Sequence, residues 1–376
     1  MKKHSKHTKI TKRANGFFAP NELSFVGVKC GVISDLVLAI GAKLDAIAKV
    51  AYVDASHNKD LTAPTTDVHT FHTSGNFNFS GVISENKYNN PLHFAQYDLT
   101  CINGNHFEGK KQVVFLDPEK ENSINKRLDQ ISDIQFFIKT SPEVAIFDCL
   151  LEKFPDCKNL PMFDLTDVEA IIAEVKKQVE NNIPVVDGVV LAGGKSVRMG
   201  TDKGLLDYHG EPQRDFMVRL LESQGIETFV SVRGHQKIET HKTISDAFVG
   251  LGPFGAICSA FMKDPNKAYI VLATDLPFVN EALVQELLSK RNSKKIATAI
   301  KGKSKDFMEP LVTIWEPKAY PILLQYLAQG YSCPRKILIN SDVEVVEVTD
   351  DLIQNINTPE EFEVAKKTVK KLSVKK

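Results

Sequence analysis

The sequence predicts an α/β protein of two domains, each built on a mostly parallel sheet. Three observations predict it. Short apolar runs that read as strands buried on both faces, Gly188–Leu191 and Ala268–Ala273 among them, alternate with stretches of helical apolar spacing. The chain has 376 residues, enough for two domains of ordinary size. Finally, Asn181-Asn182-Ile183-Pro184 places asparagines after a helix and a proline before the next strand, which marks a boundary. The expected division is a basic disordered tail over 1–20, a first domain over 21–182 and a second over 183–376.

Composition narrows the partners. The chain carries 47 Lys+Arg and 47 Asp+Glu, a formal net charge of zero, so nothing global argues for nucleic acid or an anionic membrane. The longest apolar stretch, 32–53, is broken by Asp35, Lys43, Asp45 and Lys49 and cannot cross a bilayer. The first residues, MKKHSKHTKITKR, are basic but lack the apolar core of a signal peptide. Cys30, Cys101, Cys149, Cys157, Cys258 and Cys333 are scattered without a C-x-x-C pair, which predicts reduced thiols in a cytoplasmic protein.

In the first domain, Ser24–Val28 and Ile47–Val53 read as strands around a helix over Ser34–Leu44. Strand, glycine turn, helix, strand is how a P-loop domain begins. The turn here reads G-V-K-C-G-V-I-S from Gly27, with Ile33 where a Walker lysine would stand. The half is therefore expected as a degenerate P-loop-like α/β domain that binds or scaffolds rather than hydrolyses nucleotide. Further strands are expected over Tyr97–Ile102, Gln112–Leu116 and Asp133–Ile138. Thr166 and Glu169 form a capping box ahead of a helix whose Val168, Ile171, Ile172, Val175 and Val179 make a core stripe. His57, His69, His72, His93 and His106 show no metal-binding spacing on a helix and read as structural or solvated.

The second domain opens with GVVLAGGKSVRMGTDKGLL from Gly188 to Leu206. Leu191 and Ala192 end a buried strand, and the glycine pair Gly193-Gly194 lets the backbone turn sharply and offer its N–H groups. Lys195, Arg198 and Lys203 follow. Amides and cations at the carboxyl end of a parallel strand are the ingredients of a polyphosphate cradle. The spacing fits neither G-x-x-x-x-G-K-[ST] nor G-x-G-x-x-G.

Beyond it, a helix is expected over Arg214–Leu221, and strands over Glu227–Val232 and Lys242–Ser245, the latter delivering Asp246. The turn Gly250-Leu251-Gly252-Pro253 should open a helix and lie against a base or ribose, since glycine interposes no side chain. Ala268–Ala273 is apolar throughout and delivers Asp275 to the end of a central strand, where α/β sheets bind ligands. A helix over Glu281–Ser289 and strands over Lys295–Ile300, Leu311–Trp315 and Val343–Val348 follow. Cys333 has no histidine partner in the sequence and reads as an incidental thiol. Asn355-Ile356-Asn357 leads into a terminal helix, with Thr358 as N-cap, Pro359 at its first position and Glu361 at its third.

The pattern L-A-G-G-x-S-x-R-M-G-x-D-K resembles the signature loop of nucleotidyltransferases, and most of all the molybdenum cofactor guanylyltransferases of MobA type. G-P-x-x-G after Leu251, the T-D-L-P run at Asp275 and N-x-N-T-P-E-E from Asn355 are similar to that family's later motifs, in its order. The first domain resembles, on topology and a degenerate loop, the MobB-type partner of the same pathway. The resemblance implies a Rossmann-like nucleotidyltransferase fold and transfer of GMP from GTP to molybdopterin with release of pyrophosphate.

It implies roles residue by residue. Arg198, Lys203 and Asp275 would be catalytic, and Asp275 would hold Mg²⁺. Leu191, Ala192, Gly193, Gly194, Lys195, Lys203, Asp246, Gly252 and Asp275 would bind the nucleotide, and Asn355 and Asn357 the acceptor. Molybdoenzymes or their chaperones would be further partners. Ser231-Val232-Arg233 replaces the asparagines of related enzymes, so base choice stays open. Two alternatives stand beside this reading. One is a cytidylyltransferase for the same cofactor or a sugar-phosphate nucleotidyltransferase; the other is a non-catalytic cofactor-binding adaptor.

Overall fold

The computed structural model describes residues 9–56, 66–73, 77–80, 86–192, 202–234, 236 and 238–374. They fall into two compact units, one of Asn15–Asn182 and one of Ile183–Lys376 together with the residues before Asn15.

The first unit has strands β1 (Glu22–Val26), β2 (Val50–Val53), β3 (Val68–Phe71), β4 (Phe77–Ser80), β5 (Leu99–Asn103), β6 (Gln112–Leu116), β7 (Ile134–Lys139) and β8 (Met162–Asp164). Its helices are α1 (Cys30–Leu44), α2 (Asn89–His93), α3 (Glu121–Lys126), α4 (Asp148–Lys153) and α5 (Val168–Asn181). Six strands form a parallel sheet in the order β2-β5-β1-β6-β7-β8, and β3 and β4 pair separately as a hairpin. Parallel strands need helices on both faces. Ile33, Val37 and Ile40 of α1 and Ile171 and Val175 of α5 cover one face; Ile124 and Leu150 help to cover the other.

Two local expectations change. The N-cap of α5 is Asp167, whose carboxylate accepts from the Ala170 N–H at 3.1 Å, rather than Thr166. Of the residues expected as a solvated tail, some of the described ones are held: the buried Glu22 carboxylate accepts from the N–H groups of Phe17, Phe18 and Ala19 at 2.9, 2.8 and 3.2 Å. Further back, Ala14 N–H donates to Asn266 Oδ1 at 2.6 Å and Asn266 Nδ2 to the Lys12 carbonyl at 3.1 Å.

The second unit has strands β9 (Val186–Leu191), β10 (Thr228–Val232), β11 (Thr243–Ser245), β12 (Ala268–Ala273), β13 (Ala297–Gly302), β14 (Met308–Trp315) and β15 (Val343–Val348). Its helices are α6 (Gln213–Glu222), α7 (Pro253–Lys263), α8 (Glu281–Ser289), α9 (Ala319–Ala328), α10 (Pro334–Ile339) and α11 (Pro359–Val374). The sheet runs β11-β10-β9-β12-β14-β13-β15, with β14 antiparallel to both neighbours and the other pairs parallel. The chain leaves β9 toward β10 on one side, while β12 lies on the other. Such a reversal opens a crevice at the carboxyl ends of the two strands.

The unit is stapled by a buried ion pair. Arg291 donates to both oxygens of Glu316 at 2.7 and 2.8 Å and to the Pro184 carbonyl at 2.8 Å. Among the described residues no helix is long and apolar enough to cross a membrane.

Candidate nucleotide site

The crevice between β9 and β12 is a cavity of about 920 Å³. Leu191 and Ala192 line it from the end of β9, and Thr274 and Asp275 from the end of β12. β12 is buried along its whole length and β9 along all but its two end residues, so the core fixes where both strands end. Gly188 is needed inside β9, because a Cβ there would meet Thr228 Oγ1 at 2.7 Å and Leu221 Cδ1 at 2.8 Å. Gly193, Gly194, Lys195 and Arg198 lie outside the described residues.

Lys203 and Asp275 meet in this crevice. Asp202 accepts from the Gly204 N–H at 2.9 Å and so starts a single helical turn that carries Lys203. The Lys203 Nζ lies 3.7 Å from Asp275 Oδ2 and donates at 2.8 Å to both the Ile356 carbonyl and Asn357 Oδ1. In turn the Ile356 N–H donates to the Asp275 carbonyl at 2.8 Å. The segment before α11 is seated by Ile356, Ala365 and Val369 packing with the buried Tyr208, whose ring meets Phe362 edge-on at 4.9 Å. Thr358 and Glu361 exchange hydrogen bonds at 3.2 and 3.1 Å, the capping box read from the sequence.

Burial pushes the Asp275 carboxyl above its usual range, against the pull of Lys203. Its Oδ1 is buried and has no hydrogen-bond partner among the described residues. A buried carboxylate oxygen left without a partner is costly. Among the described residues no group of three or more His, Cys, Asp or Glu side chains is arranged around a metal position. A hard cation held by one or two carboxylates and substrate phosphates needs no such group. The donor set at Asp275 fits a cation of that kind.

Opposite, the glycine turn opens a helix as its sequence predicts. Gly250 and Gly252 take positive φ, 85° and 58°, and both line the cavity ahead of α7. Asp246 also lines it; its Oδ1 accepts from the Phe248 N–H at 2.9 Å and lies 3.1 Å from the Ser259 hydroxyl. Ser231 and Arg233 also line it.

Asn355 is parted from Asn357. It lines a second cavity of about 670 Å³, with Lys305, Glu309, Arg335 and Asp350. Glu309 escaped the sequence reading. It is buried, and burial pushes its carboxyl up; the Leu311 N–H and Arg335 act the other way, and the charge of Asp275 adds to the rise. Its only sequence signal is an acidic residue before a proline at a strand start. Ser259 was also missed, being one small residue on an apolar helix face.

A mostly parallel sheet thus carries at its switch point a lysine and a carboxylate with one unpartnered oxygen, both lining a cavity of about 920 Å³. The model of the MobA-like NTP transferase domain matches residues 188–345, and this unit is a domain of that kind. A molybdenum cofactor biosynthesis bifunctional protein of Synechocystis sp. is 32% identical over 181 residues, which is 46% of this chain and 52% of that protein. The chain thus spans about half the length of that relative. A molybdenum cofactor guanylyltransferase of Pseudomonas putida is 28% identical over 181 residues, 46% of this chain and 93% of the relative. The crystal structure of molybdopterin-guanine dinucleotide biosynthesis protein A from Archaeoglobus fulgidus is 22% identical and covers 49% of this chain and 99% of its own, with a TM-score of 0.43.

Proposed function

We propose that the second unit transfers GMP from GTP to the terminal phosphate of molybdopterin and releases pyrophosphate. The observation that carries the reading is that Lys203 and Asp275, 3.7 Å apart, both line the nucleotide-sized cavity, with Asn357 accepting from Lys203. Relatives named for molybdenum cofactor guanylyl transfer support the choice of base and acceptor.

The acceptor phosphate is largely ionised at neutral pH, so no general base is required. The work is alignment and neutralisation of charge. Lys203 meets the α-phosphate, where negative charge grows during attack. The amides of Gly193 and Gly194, with Lys195 and Arg198, cradle the β- and γ-phosphates. Leu191, Ala192, Asp246 and Gly252 shape the nucleoside wall. Asn357 and Asn355 take the acceptor, the latter from the second cavity. Asp275 would hold Mg²⁺, which supplies charge neutralisation to the triphosphate and its leaving pyrophosphate.

The test is pyrophosphate release by the purified protein with Mg²⁺, molybdopterin and, in parallel, GTP, CTP or UTP. Release with GTP and molybdopterin together is expected. Release with CTP alone among the nucleotides would make the domain a cytidylyltransferase. Release with none would leave a binding protein.

A further inference from the structure

The first unit holds a second cluster of reactive groups, at the carboxyl end of its own sheet. The chain leaves β1 toward β2 on one side and leaves β5 toward β6 on the other, so the strand order reverses beside β1. Open α/β sheets take ligands at such a reversal. The turn after β1 spans only Gly27 to Lys29 before α1 begins, too short to wrap a phosphate. Gly27 takes φ 101°, and a Cβ there would lie 2.8 Å from the Phe115 carbonyl oxygen, so the turn is fixed in this tight form. What it delivers is Cys30, the first residue of α1.

His106 Nε2 lies 3.2 Å from Cys30 Sγ, and the same nitrogen lies 3.9 Å from Asp54 Oδ1. Asp54 accepts from the Tyr52 hydroxyl at 2.7 Å, from Asn103 Nδ2 at 2.9 Å and from the Ala55 N–H at 2.7 Å. Burial alone would raise the Asp54 carboxyl, but these bonds and His106 hold it below the usual range. Asn105 donates to the Val28 carbonyl at 2.8 Å, which clamps the turn after β5 to the turn after β1. Arg127 donates to the carbonyls of Gly104 and Asn105 from behind. The thiol is faced by His106 and by Asn105, whose Nδ2 donates to Sγ at 3.7 Å; Asp54 faces His106 and holds Tyr52, while Lys29 is next in the chain, 4.0 Å from Glu119, and Arg127 lies beyond the turn.

An imidazole within proton-transfer reach of a thiol, with an ionised carboxylate facing the imidazole, is the arrangement that activates a cysteine. The first turn of α1 adds a favourable field for the anion. Access is open: Cys30 is half-buried rather than buried, and a Cβ at Gly31 would meet nothing within 4 Å. By contrast Cys101, Cys157 and Cys258 are buried, and burial pushes the Cys258 thiol up to about 12.

We infer that Cys30 is the nucleophile of a second reactive site, that His106 takes its proton and Asp54 holds the resulting imidazolium, and that the site captures carbon electrophiles. In that step a bond forms from Sγ to the electrophilic carbon. The bond from that carbon to its leaving group breaks, and the leaving group departs with the bonding pair. The thiol proton rests on His106 Nε2, and no oxidant or reductant takes part.

The probe is iodoacetamide, applied to the intact protein from about pH 5.5 to 8.5, with peptide mass spectrometry comparing Cys30 with the exposed Cys333 in the same sample. At about pH 6.5 Cys30 is expected to be alkylated at least about fivefold faster than Cys333. His106→Gln should bring the two rates together. Parity of the two cysteines in the unaltered protein, with rates rising in parallel with pH, would overturn the inference; so would an unchanged Cys30 rate in His106→Gln. If His106→Gln does not fold, the pH profile of the unaltered protein decides, and Asp54→Asn should slow Cys30 on the acid side only.

Discussion

Lys203 Nζ stands 3.7 Å from Asp275 Oδ2 while donating to the Ile356 carbonyl and to Asn357. The ammonium is therefore aimed before any nucleotide arrives, at the expense of a contact with its own carboxylate partner that a phosphate can replace. Preorganised charge of this sort acts mainly on the transition state. Lys203→Ala is expected to lower the rate of pyrophosphate release by about a hundred- to thousandfold, with a smaller change in KM for the nucleotide. Steady-state assays on the folded variant check it, and a rate within about threefold of the parent would remove Lys203 from the proposed chemistry.

Asp275 should trade stability for activity. Its carboxyl is raised by burial, so the native state holds the proton more tightly than the unfolded chain does. The stabilisation this brings is present at pH below the ordinary carboxyl value and is lost as pH rises through the raised one. Near neutral pH the fold carries the burden of a buried charge with an unpartnered oxygen. Asp275→Asn is therefore expected to raise stability by about 1 kcal/mol at pH 8 and by less at pH 4, while abolishing transfer. Thermal melts at the two pH values test it; an equal shift at both would show that the charge is not the cause.

Arg291→Ala leaves Glu316, only 1% exposed, without its two-pronged partner and removes a tie to the Pro184 carbonyl. Breaking one side of a buried pair costs about 3–5 kcal/mol. Urea unfolding should show that loss, and Arg291→Met paired with Glu316→Leu should recover much of it.

Gly255 sits under the glycine turn, where a Cβ would press on the Phe248 carbonyl oxygen and lie 3.1 Å from Asp246 Oδ1. Backbone cannot yield as a flexible side chain can. Gly255→Ala should displace the 246–252 wall and raise the KM for the nucleotide about tenfold or more, equivalent to about 1.4 kcal/mol of binding, with little effect on the rate at saturation. Nucleotide titration with the folded variant measures it.

Much of this was legible beforehand, for physical reasons that differ by element. Ala268–Ala273 and Gln112–Leu116 are legible at their true bounds because apolar runs meet polar residues abruptly, and Val343–Val348 because its valines stop at Asp342 and Thr349. The α1 start was read at Ser34 instead of Cys30, since Cys30 and Gly31 carry no helical signal and the helix is imposed by the sheet beneath. The antiparallel run of β14 depends on distant partners and left no local mark. In the crevice, charged side chains at fixed offsets exposed Lys203 and Asp275. The carbonyl of Ile356 could not be read, because every residue has one. Glu309 was hidden because burial, which makes it unusual, is a property of the fold.

The hydrogen bond from Ile356 to the Asp275 carbonyl joins a late segment to the heart of the crevice. A chain still leaving the ribosome carries the lysine and the aspartate long before it carries the peptide that fixes them. Until residues 355–362 are made and docked, Lys203 lacks two of its acceptors and the Asp275 carbonyl its donor, so the crevice is completed by a stretch synthesised after every strand of its sheet.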